Sequence, residues 1–89
     1  MKKTTKKTQK KKVHVQYFAL LREQAEKQSE TILTEAENAQ DLYQELSNRY
    51  GFSLKTTEIR VAINEEFQGL SMTLSTEDSV VFIPPVAGG

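Results

Sequence analysis

Val80-Val81-Phe82-Ile83 is a run of four apolar residues that ends on Pro84-Pro85. Such a run has no polar side to offer water, which suits a strand in the middle of a sheet, apolar on both faces. The prolines must end its ladder, since neither has an N–H to donate. With this strand so near the end of an 89-residue chain, its neighbours have to come from earlier segments.

Three segments qualify. Val13 to Phe18 (VHVQYF) alternates Val13, Val15 and Tyr17 against His14, Gln16 and Phe18, the period of a strand. Ser29 to Thr34 centres on Ile32 and Leu33 and lies close enough in sequence to pair antiparallel with the first strand. Ile59 to Ile63 alternates with Ile59, Val61 and Ile63 inward and Arg60 and Ala62 outward. After the polar turn Asn64-Glu65-Glu66, Phe67 begins a short, weakly defined segment that Gln68-Gly69 interrupts, and Ser75 to Asp78 is a further turn.

Two stretches read as helix. Ala19 to Lys27 is made of good helix formers, but Leu20, Leu21 and Ala25 give it only a short apolar stripe, so it should be brief. The main helix runs from Ala39 to Tyr50. Asn38 can cap it, with Asp41 three residues on, and Gly51 follows as its C′ residue. Leu42, Tyr43, Leu46 and Tyr50 fall on one face, the stripe with which a helix covers a sheet. The order is thus strand, short helix, strand, main helix, strand, short strand or turn, strand. Setting the last strand beside the first, in the middle, predicts an α+β fold of the β-grasp, ubiquitin-like kind over residues 13–83, a small mixed sheet with one main helix across it.

Composition narrows the function classes. The chain is long enough for one domain and has no cysteine, so disulfides and thiolate chemistry within it are excluded. No apolar run is long enough to span a bilayer, and no secretory h-region is present, so a cytoplasmic protein is expected. His14 is the single histidine and has no second His or Cys with which to build a metal site; it reads as a solvated strand residue.

The formal charge of zero conceals a segregation. Lysines 2, 3, 6, 7, 10, 11 and 12 put seven of the twelve basic residues into the first twelve positions. From Val13 onward five basic residues face all twelve acidic ones, which leaves the body at −7. Residues 1–12 hold nothing that can bury apolar surface, which predicts a disordered lysine-rich arm. An acidic body repels phosphates, and the arm interleaves no aromatic or arginine for stacking on bases, so neither nucleic acid nor membrane is the expected partner.

Residues 84–89 form a tail with a mechanical logic. Pro84 and Pro85 hold its base extended, Val86 and Ala87 follow, and Gly88-Gly89 present a tip without side chains that ends in a carboxylate. Four residues beyond the prolines reach at most about 14 Å, enough to enter a narrow site on another protein. A carboxylate becomes an electrophile only when one oxygen is made a leaving group, as in an acyl-adenylate formed from ATP. A frayed terminus would not need two prolines and a valine before its glycines.

These residues resemble the MoaD-like family, the sulfur-carrying small subunits of molybdopterin synthase. Phe82-Ile83-Pro84-Pro85-Val86-Ala87-Gly88-Gly89 is similar to the family's ending, in which Pro-Pro-Val-x-Gly-Gly follows an aromatic or aliphatic residue. Phe18-Ala19-Leu20-Leu21-Arg22-Glu23 and Val61-Ala62-Ile63-Asn64 resemble two weaker motifs, in the right order. The resemblance spans about Val13 to Gly89. It implies that the Gly89 carboxylate is adenylated by an E1-like activating enzyme that consumes ATP and is converted to a thiocarboxylate by a sulfur donor protein. The tail then enters the large subunit of molybdopterin synthase and gives its sulfur to cyclic pyranopterin monophosphate. Gly88 and Gly89 carry over as the reactive tip, and Phe67 and Ile83 as apolar partner-binding positions; no cofactor, metal or independent catalytic activity is implied for the chain itself. Two features depart from the family pattern: Glu77-Asp78 stands where Gly-Asp is usual, and the lysine arm has no counterpart. The competing expectations are sulfur delivery to thiamin thiazole or tRNA, a modifier forming isopeptide bonds, and a plain β-grasp binding module.

Overall fold

The computed structural model describes residues 10–85 of the chain. β1 (Lys11–Tyr17), β2 (Ser29–Thr34), β3 (Arg60–Ile63), β4 (Glu66–Gln68) and β5 (Ser79–Ile83) form one sheet in the order β2-β1-β5-β3-β4. Helix α1 (Ala19–Ala25) joins β1 to β2, α2 (Ala39–Tyr50) joins β2 to β3, and a 3-10 turn at Thr56–Glu58 precedes β3. This is the predicted α+β β-grasp, with the last strand in the middle. β5 runs parallel to β1, with Val15 beside Val80 and Tyr17 beside Phe82, and antiparallel to β3, with Val61 beside Phe82.

Polar residues join β1 where the pattern predicted none. The strand begins at Lys11, two residues before the first valine, because Lys11 and Lys12 pair with Thr34 and Leu33 of β2. The Lys11 ammonium also donates to the Ala36 carbonyl at 2.9 Å. Cross-strand pairing and that bond outweigh the polar composition. The rest of the lysine arm, residues 1–9, lies outside the described residues. α1 ends at Ala25, two residues short of the predicted stretch, and buries Leu21 and Ala25 but leaves Leu20 exposed.

The main helix forms as its caps dictate. The Asn38 side chain accepts from the Asp41 N–H at 2.8 Å, and Gly51 takes the left-handed conformation (φ 75°) with its N–H on the Ser47 carbonyl. Leu42, Tyr43 and Leu46 are buried against Val13, Val15, Val61, Val80 and Phe82 of the sheet's inner face. Tyr17, Tyr43, Tyr50, Phe52 and Phe82 add aromatic contacts with ring centroids 5.3 to 6.0 Å apart. No helix among the described residues is long and apolar enough to cross a membrane.

A single carboxylate closes one side of this core. Glu30 accepts from the Tyr17 and Tyr50 hydroxyls, each at 2.6 Å, and Lys27 approaches it at 3.4 Å. Burial raises the Glu30 pKa, but the two hydroxyls and the Lys27 ammonium outweigh it, and the carboxyl titrates below its ordinary value. A folded pKa below the unfolded one means that stability is fully present above the unfolded value and is lost as pH falls through the folded one. Glu30→Gln should therefore cost about 1–2 kcal/mol at neutral pH and flatten the loss of stability below roughly pH 4.5 in urea titrations.

Several non-glycine residues occupy the left-handed region. Asn64 (φ 53°) and Glu65 (φ 74°) form the two-residue hairpin loop between β3 and β4, a conformation that favours Asn-Gly. Glu26 (φ 60°) terminates α1 in the same region. Replacing Glu65 or Glu26 by glycine should raise the unfolding free energy by about 0.5–1 kcal/mol each. Chemical denaturation of the two variants measures this directly.

Candidate functional site

Helix α2 covers one face of the sheet, and no element among the described residues covers the other. Alternation therefore splits β5: Val80 and Phe82 are buried under the helix, while Val81 and Ile83 are half-buried on the open face. The run Val80–Ile83 is central in the sheet, as predicted, but apolar residues face a cover on one side only. That difference locates the site.

Register places the open-face residues in rows. Gln16, Val81, Ala62 and Phe67 stand side by side across β1, β5, β3 and β4, and the next row toward the tail pairs Ile83 with Arg60. Phe67 is 67% exposed, although it sits at the edge of an apolar row. At the other end of β1 and β5 the open face turns polar. There His14 stands between the Thr31 hydroxyl (2.9 Å from Nδ1) and the Glu77 carboxylate (2.8 Å from Nε2), and Lys12 pairs with Glu77 at 3.3 Å. The open face is thus graded, polar where β1 and β5 begin and apolar where β5 gives way to the prolines.

The polar end explains two sequence features. Glu77 adopts φ 71°, the conformation for which the family-like pattern carries glycine, and its N–H donates to the Lys12 carbonyl at 2.5 Å. Its carboxylate is held by His14 and Lys12, which keep its pKa below the usual range. The side chain anchors a turn that its backbone conformation disfavours. Asn64 ties the β3–β4 loop to the start of β5: its side chain donates to Asp78 at 2.9 Å and accepts from the Ser79 N–H at 3.0 Å. The asparagine of Val61-Ala62-Ile63-Asn64 is a structural latch.

At the apolar end, Pro84 is half-buried and Pro85 exposed, and both line a groove with Arg60, Phe67 and Ile83. The structure thus brings together four of the expected residues: Phe67, Ile83, Pro84 and Pro85. Val86, Ala87, Gly88 and Gly89 lie outside the described residues. Alternation in β3 places Ala62 outward, as the structure has it; sequence reasoning missed Val81 as a surface residue, because an apolar residue in a central strand reads as core. The available signal was the supply of cover: one long helix shields one face only. Among the described residues no group of three or more His, Cys, Asp or Glu side chains converges as a metal site would.

A small sheet grasping one helix, with proline-stiffened chain leaving its central strand beside an uncovered apolar face, defines a β-grasp domain of the carrier type. Residues 15–89 match the ThiS family, and the chain belongs to that family of β-grasp sulfur carriers. Among solved structures, it is similar to a putative molybdopterin converting factor subunit 1 from Pyrococcus furiosus, at 28% identity over 85% of this chain and 99% of that one (TM-score 0.69). The small archaeal modifier protein 1 from Methanosarcina acetivorans shares the fold at 24% identity over 90% of this chain and 98% of that one (TM-score 0.71). So does a chain in a complex of subunits 1 and 2 of the molybdopterin-converting factor from Helicobacter pylori, at 24% identity over 88% and 99% (TM-score 0.58).

If Phe67 serves a partner rather than the fold, its loss should leave stability almost unchanged. Phe67→Ser should shift the unfolding free energy by no more than about 0.5 kcal/mol, whereas Phe82→Ala should cost about 3–5 kcal/mol. Urea unfolding of the two variants gives the comparison.

Proposed function

We propose that this chain is the sulfur carrier of molybdenum cofactor biosynthesis, working as the small subunit of molybdopterin synthase. The observation that carries this reading is the Pro84-Pro85-Val86-Ala87-Gly88-Gly89 ending set on the central strand, beside Phe67 and Ile83 on an open apolar face. The 28% identity to the Pyrococcus protein named as a molybdopterin converting factor subunit supports it, as does the Helicobacter complex, in which such a subunit is bound to a second one.

The chemistry belongs to the terminus and its control to the fold. An adenylating partner joins the Gly89 carboxylate to the α-phosphorus of ATP, and pyrophosphate leaves. The outer sulfur of a donor protein's persulfide then attacks the acyl carbon and AMP departs; a second thiol cleaves the acyl disulfide so formed, which leaves a thiocarboxylate on the chain and a disulfide on the donor. Inside the large subunit this sulfur passes to cyclic pyranopterin monophosphate. Pro84 and Pro85 limit the directions the tail can take and so lower the entropy lost on entry. Gly88 and Gly89 admit the tip where a side chain would clash. The chain supplies no acid or base and binds no cofactor; it is a cytoplasmic substrate-like subunit of a sulfurtransferase.

Mass spectrometry tests this. Incubated with the adenylating enzyme, ATP and a sulfur source, the chain should gain ~16 Da at its C-terminus, one oxygen replaced by sulfur. An unchanged mass would refute the carrier chemistry. Removing Gly89 should abolish the gain and leave thermal unfolding as it was.

Two further outcomes discriminate related roles. The ThiS family match favours sulfur delivery to a thiazole or to tRNA if the thiocarboxylate forms but cyclic pyranopterin monophosphate accepts no sulfur. The likeness to small archaeal modifier protein 1 favours isopeptide bonding if a tagged chain yields a ladder of lysine conjugates in its own lysate.

A further inference from the structure

Arg60 sits on the apolar end of the open face, and among the described residues no carboxylate pairs with it. Lys12, the cation of the polar end, is held by Glu77 at 3.3 Å. Glu58 lines the same groove, but its carboxylate accepts from the Lys55 N–H at 2.8 Å and completes the cap of the 3-10 turn. Arg60 faces Ile83 in the β3–β5 register and shares a groove with Phe67, Pro84 and Pro85. It also lines the adjoining groove with Gly69 and Leu70.

Position makes this cation consequential. A partner that takes in the tail must close over Pro84, Pro85 and Ile83, and Arg60 lies within that footprint. Covering an unpaired guanidinium strips its water without return, while pairing it with a carboxylate restores both charge and hydrogen bonds. The body carries −7 and so favours basic partner surfaces in general; at Arg60 that preference reverses. A partner docked in the wrong rotation would set one of its own basic groups against Arg60, which is repulsive.

We infer that Arg60 is the orienting cation of the docking face: it takes an Asp or Glu side chain that the partner protein presents within an otherwise apolar surface. This rests on the carrier reading, since it needs a partner that receives the tail. A nucleotide phosphate is the other oxyanion such a system contains. Four residues beyond the prolines can carry the terminus, and any nucleotide joined to it, up to about 14 Å from the root of the tail, away from Arg60 when a partner draws it in. The recognition is therefore between proteins. Arg60 sets which partner binds and how it is turned about the tail, and plays no part in the acyl chemistry.

Calorimetric titration of the full chain against the large synthase subunit and against the adenylating enzyme tests the inference. Arg60→Ala should weaken binding to at least one of them by about 30-fold or more, Arg60→Glu by more still, and Arg60→Lys by less than either. Lys10→Glu, the same charge change beyond the polar end, should leave binding unchanged. Changing the matching acidic residue of the partner to lysine should restore binding to Arg60→Glu. If Arg60→Glu binds both partners as wild type does while Phe67→Ser fails, the role of Arg60 is overturned and the carrier reading stands. If the wild-type chain binds neither partner, both are overturned.

Discussion

Everything in this domain depends on the parallel pairing of its first and last strands. Holding β1 against β5 closes most of the chain into one loop, at a cost of roughly 4 kcal/mol beyond a constant term. The return comes from four side chains that the pairing buries almost completely: Val15 beside Val80 and Tyr17 beside Phe82. Each contributes about 1.5–3 kcal/mol by leaving water once α2 covers the inner face, which outweighs the closure. Parallel pairing also fixes where the two ends go. β1 starts at the polar end of the open face and β5 finishes at the apolar end, so the chain enters β1 and leaves β5 at opposite ends of the sheet.

The central place of β5 links fold to function. A tail rooted in an edge strand would hang beside the sheet; rooted in the middle, it leaves flanked by β1 and β3 and by the residues they present. Because a single helix covers one face, the alternate residues Val81 and Ile83 stay available beside Ala62 and Phe67. The same apolar run therefore fills the core with half of its side chains and faces outward with the other half. The prolines end the ladder at the point where the chain must stop belonging to the sheet.

Much of this could be read from the sequence, and the parts that could not have identifiable reasons. Local chemistry was legible: Asn38 and Gly51 marked the ends of α2, and alternation assigned the inward residues of β1 and β3 correctly. Elements decided by distant partners were not. Lys11 and Lys12 join β1 only because Thr34 and Leu33 are there to receive them, and β4 is too short for any pattern to define. Glu77 in place of glycine looked like a defect. It is compensated by His14 and Lys12, residues far away in sequence that only the parallel pairing brings near. Of the site, Phe67, Ile83 and the prolines were legible through the family resemblance and alternation put Arg60 and Ala62 outward, whereas Val81, and the joining of these residues into one surface, emerged only when the uncovered face was seen whole.

The central claim is that the open face beside the tail root, and not the helical side, receives the partner. Titrating the isotope-labelled chain with the large synthase subunit and following backbone amide resonances tests it most directly. The account predicts that Ala62, Phe67, Val81 and Ile83 shift or broaden while Gln44 and Asn48, on the outer side of α2, stay in place. Perturbations centred on α2, with the open face silent, would contradict it.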